Sequence, residues 1–329
     1  MLNKLAKMAS IVALTISTGG VANAQSVKGT ISLPGLPEGI GVNFITNRVY
    51  VAIPNFDNIS DSLAIIDGKS DTVITTISIP PVGQSVAVDV VRDLVYVGGT
   101  YFDENGIEQS KVAVINGRTK KVVRTIPITT TEGNGIEGLA VNSLTGNVYV
   151  SNASDNVVDV ICAENEKIKD RISVAQSPFG ITVNPFNNEV YVALSNGTVD
   201  VIDGRKNIIK TTATIGDANA GIAVNWSTGH VFVTDNDFGP STLGVLDRMG
   251  NVVTDIAVGN TPFGVDVDLI TNLAFVTNTQ DGTVSIIDGK TNTVKSNVAV
   301  TGLYIAVNPA TEKVYVGGQD SSLTVLKEK

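Results

Sequence analysis

Residues 183–203, VNPFNNEVYVALSNGTVDVID, alternate short apolar runs with turns built from Asn, Pro and Gly. Close variants return as VNSLTGNVYVSNASDNVVDVI (141–161), VNWSTGHVFVTDNDFGPSTLGVLD (224–247) and VDLITNLAFVTNTQDGTVSIIDG (267–289). An aromatic residue anchors each copy: Tyr50, Tyr96, Tyr149, Tyr191, Phe232, Phe275 and Tyr315, at separations of 40 to 53 residues. Seven positions before every anchor stands Asn or Asp, namely Asn43, Asp89, Asn142, Asn184, Asn225, Asp268 and Asn308. Seven repeats of roughly this length match the four-stranded blades of a β-propeller.

Each unit reads as four short strands. The first resembles GIAVN (221–225), the second VYV, the third VDVID or VSIID and the fourth VVRTI. β-Branched residues fill the strands, and Asn, Gly and Asp punctuate the turns, with no window that favours a long helix. Both strand parities are often apolar, as a sheet covered on both faces requires. The last repeat ends after LYIAVNP, KVYVGG and SLTVL and lacks a fourth strand, whereas SVKGTISL (26–33) fits that pattern. The expected fold is therefore all-β: a seven-bladed β-propeller whose last blade is closed by the N-terminal strand of the mature chain.

FVTN (275–278), YVSN (149–152) and FVTD (232–235) resemble the signature of the YVTN-type β-propeller repeat family, and the likeness extends over about residues 26–326. The resemblance implies the propeller fold. It does not single out a function, since the family includes surface-layer proteins, periplasmic proteins and propellers similar to lactonases or amine dehydrogenase subunits.

Residues 1–24 read as a secretory signal: Lys4 and Lys7, an uncharged apolar stretch, then Ala22 and Ala24 in small-x-small spacing before Gln25. Residues 25–329 then form a single propeller domain, periplasmic or extracellular, expected to be monomeric. Removing the leader leaves 21 basic against 32 acidic residues, a net charge of about −11, which disfavours nucleic acid and anionic membranes as partners. Cys162 is the sole cysteine, so no intrachain disulfide is expected. It occupies a turn slot held elsewhere by Asp67, Asn116, Asp203, Asp247 and Asp288, which reads as an inert thiol. The one histidine, His230, shares the turn slot of Asn147 and Glu189. No G-x-S-x-G elbow accompanies it, so a Ser-His-Asp relay is not expected.

Loop length singles out a candidate face. The second-to-third loops of three repeats are long: PNFDNISD (54–61), TYFDENGIEQ (100–109) and DNDFGPS (235–241). They offer Phe56 with Asp57, Tyr101 and Phe102 with Asp103, and Phe238 with Asp235 and Asp237, aromatic and acidic groups able to hold a cation, a sugar or a basic peptide. DND (235–237) and DEN (103–105) carry oxygen ligands of the kind Ca²⁺ takes, but without the spacing of an EF-hand loop, and no cofactor is expected. The leading expectation is a non-catalytic binding or scaffold module for a protein, glycan or small-molecule partner in the cell envelope. The alternative is a lactonase- or lyase-like enzyme working through channel-mouth acids, Glu38, Glu132 and Glu137, with a divalent cation.

Overall fold

The computed structural model describes residues 26–55, 59–128, 135–162, 165, 167–236 and 241–327, so the expected leader at 1–24 lies outside the described residues. Seven four-stranded antiparallel sheets form a ring of blades. The inner strands are, in order of blades 1 to 7, Gly39–Asn43, Ser85–Asp89, Ile136–Asn142, Pro178–Asn184, Asn219–Val224, Pro262–Asp268 and Ile305–Asn308. Blade 4 is representative, with Pro178–Asn184, Glu189–Leu194, Thr198–Asp203 and Ile208–Thr214 running from channel to rim.

The two middle strands of every blade are almost wholly buried, while the rim strand is mostly exposed, in most blades with one buried aliphatic near its end such as Ile31, Ile126, Ile172 or Ile256. The seven aromatic anchors are all 0–1 % exposed. They belong to apolar clusters that combine residues of neighbouring blades, so the core is a set of blade-to-blade seams. Tyr149 Oη lies 3.4 Å from Gly204 O in blade 4, and Tyr191 Oη 3.4 Å from Arg248 O in blade 5. These two tyrosines therefore each fill one seam and present the hydroxyl to the next blade's outer hairpin.

The Asn/Asp seven residues upstream closes the first turn. Asn142 Oδ1 accepts the N–H groups of Leu144 (2.9 Å) and Thr145 (3.2 Å), and Asp268 Oδ1 those of Ile270 and Thr271. These are Asx turns, in which a short side-chain oxygen satisfies backbone donors. Four residues on, the chain is left-handed in all seven blades, at Asn47, Asp93, Gly146, Asn188, Gly229, Asn272 and Glu312. Where that position is Asn or Asp, the previous blade's Asn donates to it. Asn43 Nδ2 meets Asp93 Oδ1 at 2.8 Å, Asn142 Nδ2 meets Asn188 Oδ1 at 2.5 Å, and Asn308 Nδ2 meets Asn47 Oδ1 at 2.7 Å.

Ser26–Ser32 pairs antiparallel with Ser322–Lys327 as the outermost strand of blade 7, from Ser26 opposite Lys327 to Ser32 opposite Ser322. Ile31 and Leu33 are buried against blades 7 and 1. At the same seam Lys28 and Lys313 both bind Asp71 of blade 1, the latter at 2.7 Å.

Two outcomes follow for stability. Removing residues 26–33 uncovers a sheet edge and takes away two buried aliphatic side chains, each contributing about 1.5–3 kcal/mol. Urea unfolding of that truncation should show a loss of roughly 3 kcal/mol or more, and an unchanged midpoint would contradict the closure. Asn142→Asp keeps the Asx turn but sets an oxygen against Asn188 Oδ1. Asn188 cannot flip to compensate without turning its amide toward Tyr149 Oη, which now donates to Oδ1 (3.4 Å). A loss of about 1–2 kcal/mol is expected by the same measurement.

Candidate functional site at the channel mouth

The inner strands begin at one end of the central channel, and most begin irregularly. Pairing with the second strand slips between Ile136 and Gly138, Pro178 and Ile181, Asn219 and Ile222, and Pro262 and Val265. Such bulges re-aim side chains out of the sheet. Here they set Glu137, Phe179, Ala220 and Phe263 at the mouth, with Glu38, Gln84 and Tyr304 completing the circle around a cavity of about 200 Å³.

A close inter-blade approach fixes the size of this opening. A Cβ on Gly39 would lie 2.7 Å from the carbonyl oxygen of Gln84, and a Cβ on Gly138, Gly180, Gly221 or Gly264 would strike the carbonyl of Phe179, Ala220, Phe263 or Leu303. Only glycine lets the strands come this near. Thr277 Oγ1 reinforces the contact, accepting from Gly264 N (2.8 Å) and donating to Leu303 O (2.8 Å), and Thr234 does the same between Gly221 N and Phe263 O.

The mouth has two unlike halves. Blades 1 to 3 contribute Glu38, Gln84 and Glu137. Blades 4, 6 and 7 contribute Phe179, Phe263 and Tyr304, linked edge-to-face with centroids 6.0 Å (Phe179–Phe263) and 5.8 Å (Phe263–Tyr304) apart. Ala220 is small enough to let Phe179 and Phe263 meet across blade 5. The opposite end carries an apolar cluster in which Phe44 and Ile45, Val88, Val90 and Val91, Leu144 and Trp226 pack together from blades 1, 2, 3 and 5. Trp226 of blade 5 thereby joins an apolar cluster centred on Val90 and Val91 of blade 2.

Burial raises the Glu137 carboxyl to about 7, and Glu108 on the neighbouring hairpin adds to the effect. Glu38 is raised as well, first by burial and then by Asp61. Burial lifts the Tyr304 phenol to about 12, and the charges of Glu38 and Glu137 push the same way. Deeper in the wall, burial raises Asp266 to about 6 although it accepts from Val307 N (2.7 Å) and Val267 N (2.8 Å).

The loop residues expected to form the site are described only in part. Phe56, Asp57, Glu132, Asp237 and Phe238 lie outside the described residues. Much of 100–109 is strand rather than loop: Thr100–Phe102 pairs with Glu108–Ser110, because alternating β-prone side chains extend the hairpin to a turn at Gly106 (φ 73°). Asp103 Oδ1 caps that turn, accepting from Asn105 N and Ile107 N (both 2.9 Å). Asp235 Oδ1 accepts from Asp217 N and Ala218 N (both 3.3 Å), and Tyr101 carries Lys111 Nζ 3.7 Å from its ring centre. Phe102 remains 54 % exposed and lines a side cavity of about 220 Å³ that shares Gln84 and Glu137 with the mouth. Glu38 and Glu137, expected for a different chemistry, are thus brought together. Sequence reasoning missed Gln84, Phe179, Phe263 and Tyr304, although the slot five residues before the Asx anchor holds Glu38, Gln84, Glu137, Phe179 and Phe263. Tyr304 falls one position later, in the glycine slot.

Among the described residues no three His, Cys, Asp or Glu side chains converge as metal ligands, and no helix is long and apolar enough to cross a membrane. No protein-family model matches the chain, and no curated protein matches it.

The raised Glu137 value gives a stability test with a defined sign. An acid whose folded-state value exceeds its ordinary one near 4.5 contributes stability below that value and loses it as pH rises to about 7. The charged and titratable groups that act on it are Glu108 and Tyr304. Glu137→Gln should therefore gain on the parent protein across pH 4.5–7, by an amount on the order of 2 kcal/mol, and level off above. Chemical unfolding at pH 4, 5, 6, 7 and 8 would read this, and a constant difference would show that Glu137 is not desolvated.

Proposed function

We propose that the protein is an exported, non-catalytic binding module that takes its ligand at the channel mouth. The observation that carries this reading is the two-sided cavity. Glu38 and Glu137 make no hydrogen bond or ion pair with any other described side chain, and they stand opposite an aromatic wall. A concave, rigid, mostly apolar pocket with a few convergent polar groups is the usual form of a small-ligand site. Export rests on the leader-like residues 1–24, and the resemblance to YVTN-type repeats agrees with an envelope location. His230 lies in the first-to-second-strand turn, beside Phe232 (ring centroids 6.4 Å apart) and at the opposite end of the blade from the mouth. It supplies no base to the mouth carboxylates.

The test is a thermal-shift screen of the mature chain against amines, sugars, organic acids and lactones, followed by mass analysis and hydrogen exchange on each hit. A ligand present at about a hundred times its Kd should stabilise by about 2.7 kcal/mol. It should be recovered chemically unchanged and should protect the inner-strand starts around Glu137 and Phe179. His230→Asn should leave this binding intact. Turnover of a lactone, lost in Glu137→Gln, would establish the enzyme alternative instead. Protection confined to the opposite face, around Asn187, Trp226 and Thr271, would refute the site.

A further inference from the structure

We infer that the mouth cavity receives an organic ammonium group on an apolar stem, with the charge between Glu38 and Glu137 and the stem against Phe263 and Tyr304. This inference rests on the binding reading above and narrows its ligand class.

Charge gives the first argument. The residues lining the mouth include two carboxylates and no Lys or Arg. Neither acid has a hydrogen-bonding or ionic partner among the described residues, whereas the loop acids Asp61 and Asp281 are already occupied. Asp61 accepts from Asn55 N, Val82 N and Gly83 N, each at 2.7 Å, and Asp281 binds Asn260 through both oxygens. The mouth thus holds negative charge that the protein does not neutralise. A cation entering it relieves that imbalance, and an anion worsens it.

The aromatic half decides which cation. A bare divalent ion takes six or more oxygen ligands. Here half of the wall is hydrocarbon, with Phe179, Phe263 and Tyr304 as its rings. Ammonium groups pair with both carboxylates and ring faces, and an alkyl stem gains from burial against the same rings. The protein makes this pairing itself at the adjoining hairpin, where Lys111 Nζ lies over the Tyr101 ring. A cavity of about 200 Å³ has space for a short amine. The ammonium can belong to a free amine or to a lysine side chain of a partner protein.

Isothermal titration at pH 8 and low salt would test the assignment with n-pentylammonium, 1-pentanol, pentanoate, a capped Ala-Lys-Ala peptide and CaCl₂ as probes. Pentylammonium should bind at least tenfold more tightly than pentanol or pentanoate. Glu137→Gln and Glu38→Gln, which keep side-chain volume, should each weaken it at least tenfold. A peptide that binds as well as the free amine supports a lysine-bearing partner, and binding of pentylammonium alone supports a free amine. Equal affinity for pentanol, binding indifferent to both Gln variants, or preferential Ca²⁺ binding would overturn the ammonium assignment. If no amine binds while another compound from the screen protects the mouth, the ligand class is wrong and the binding reading stands. If nothing protects the mouth, both fail.

Discussion

A four-stranded sheet that is apolar on both faces needs a neighbour on each side, and a closed ring is what supplies one to every blade. The fully buried middle strands of this chain make that requirement severe. Much of the recurring sequence can be understood as hardware for covering one blade with the next. The aromatic anchor fills the seam and directs its edge toward the following blade's hairpin. The Asx residue folds its own turn and, as asparagine, donates its amide onward. The threonine of FVTN and FVTD ties a bulge glycine to the next blade's carbonyl, while Asn278 binds back to Ser285 in its own third strand. The letters of the repeat are thus contacts between and within blades.

This arrangement explains why the mouth can vary. Glycines at the inner-strand starts bring each backbone against the next blade's carbonyl, which fixes where the preceding residue sits. The side chain of that residue points into the opening, where no packing partner dictates its identity. Acid, amide, alanine and phenylalanine all occupy the slot. Blade 7 departs from the pattern, because Tyr304 stands where the others have Gly or Ser. Its carbonyl accepts from Gly317 N at 2.8 Å. Position is therefore set by the repeat, and chemistry by the one slot that the repeat leaves free.

The fold was legible because it is repeated. Aromatic spacing and the fixed Asx offset report contacts that each blade must make, so seven weak signals reinforce one another. The site was legible only in part. Glu38 and Glu137 could be placed near the opening from sequence order alone. Asp103 and Asp235 could not be separated from ligand-facing acids, because their roles depend on which backbone N–H groups fold back onto them. The extension of the blade 2 hairpin was hidden for a similar reason: TYFDENGIEQ has loop composition in its middle but strand alternation at its ends. The aromatic half of the mouth was missed because Phe179 and Phe263, read one blade at a time, look like ordinary core residues. Only closure of the ring brings them edge-to-face.

The contrast between satisfied and unsatisfied acids is what gives the mouth its character. On the loops, backbone donors surround the carboxylates, so their charge is spent on holding the chain. At the opening, the inner strands offer Glu38 and Glu137 no such donors, and burial among blades reduces the water that would otherwise stabilise their charge. Rearrangement cannot relieve this, since the glycine contacts hold the strands at a fixed separation. Protonation relieves it in one direction, as the raised value of Glu137 indicates, and a cation relieves it in the other. A rigid ring thereby maintains an electrostatic strain that a flexible loop would relax. Because the strain sits in a cavity with an aromatic wall, a ligand answering both needs gains from charge and from apolar contact without moving any part of the fold.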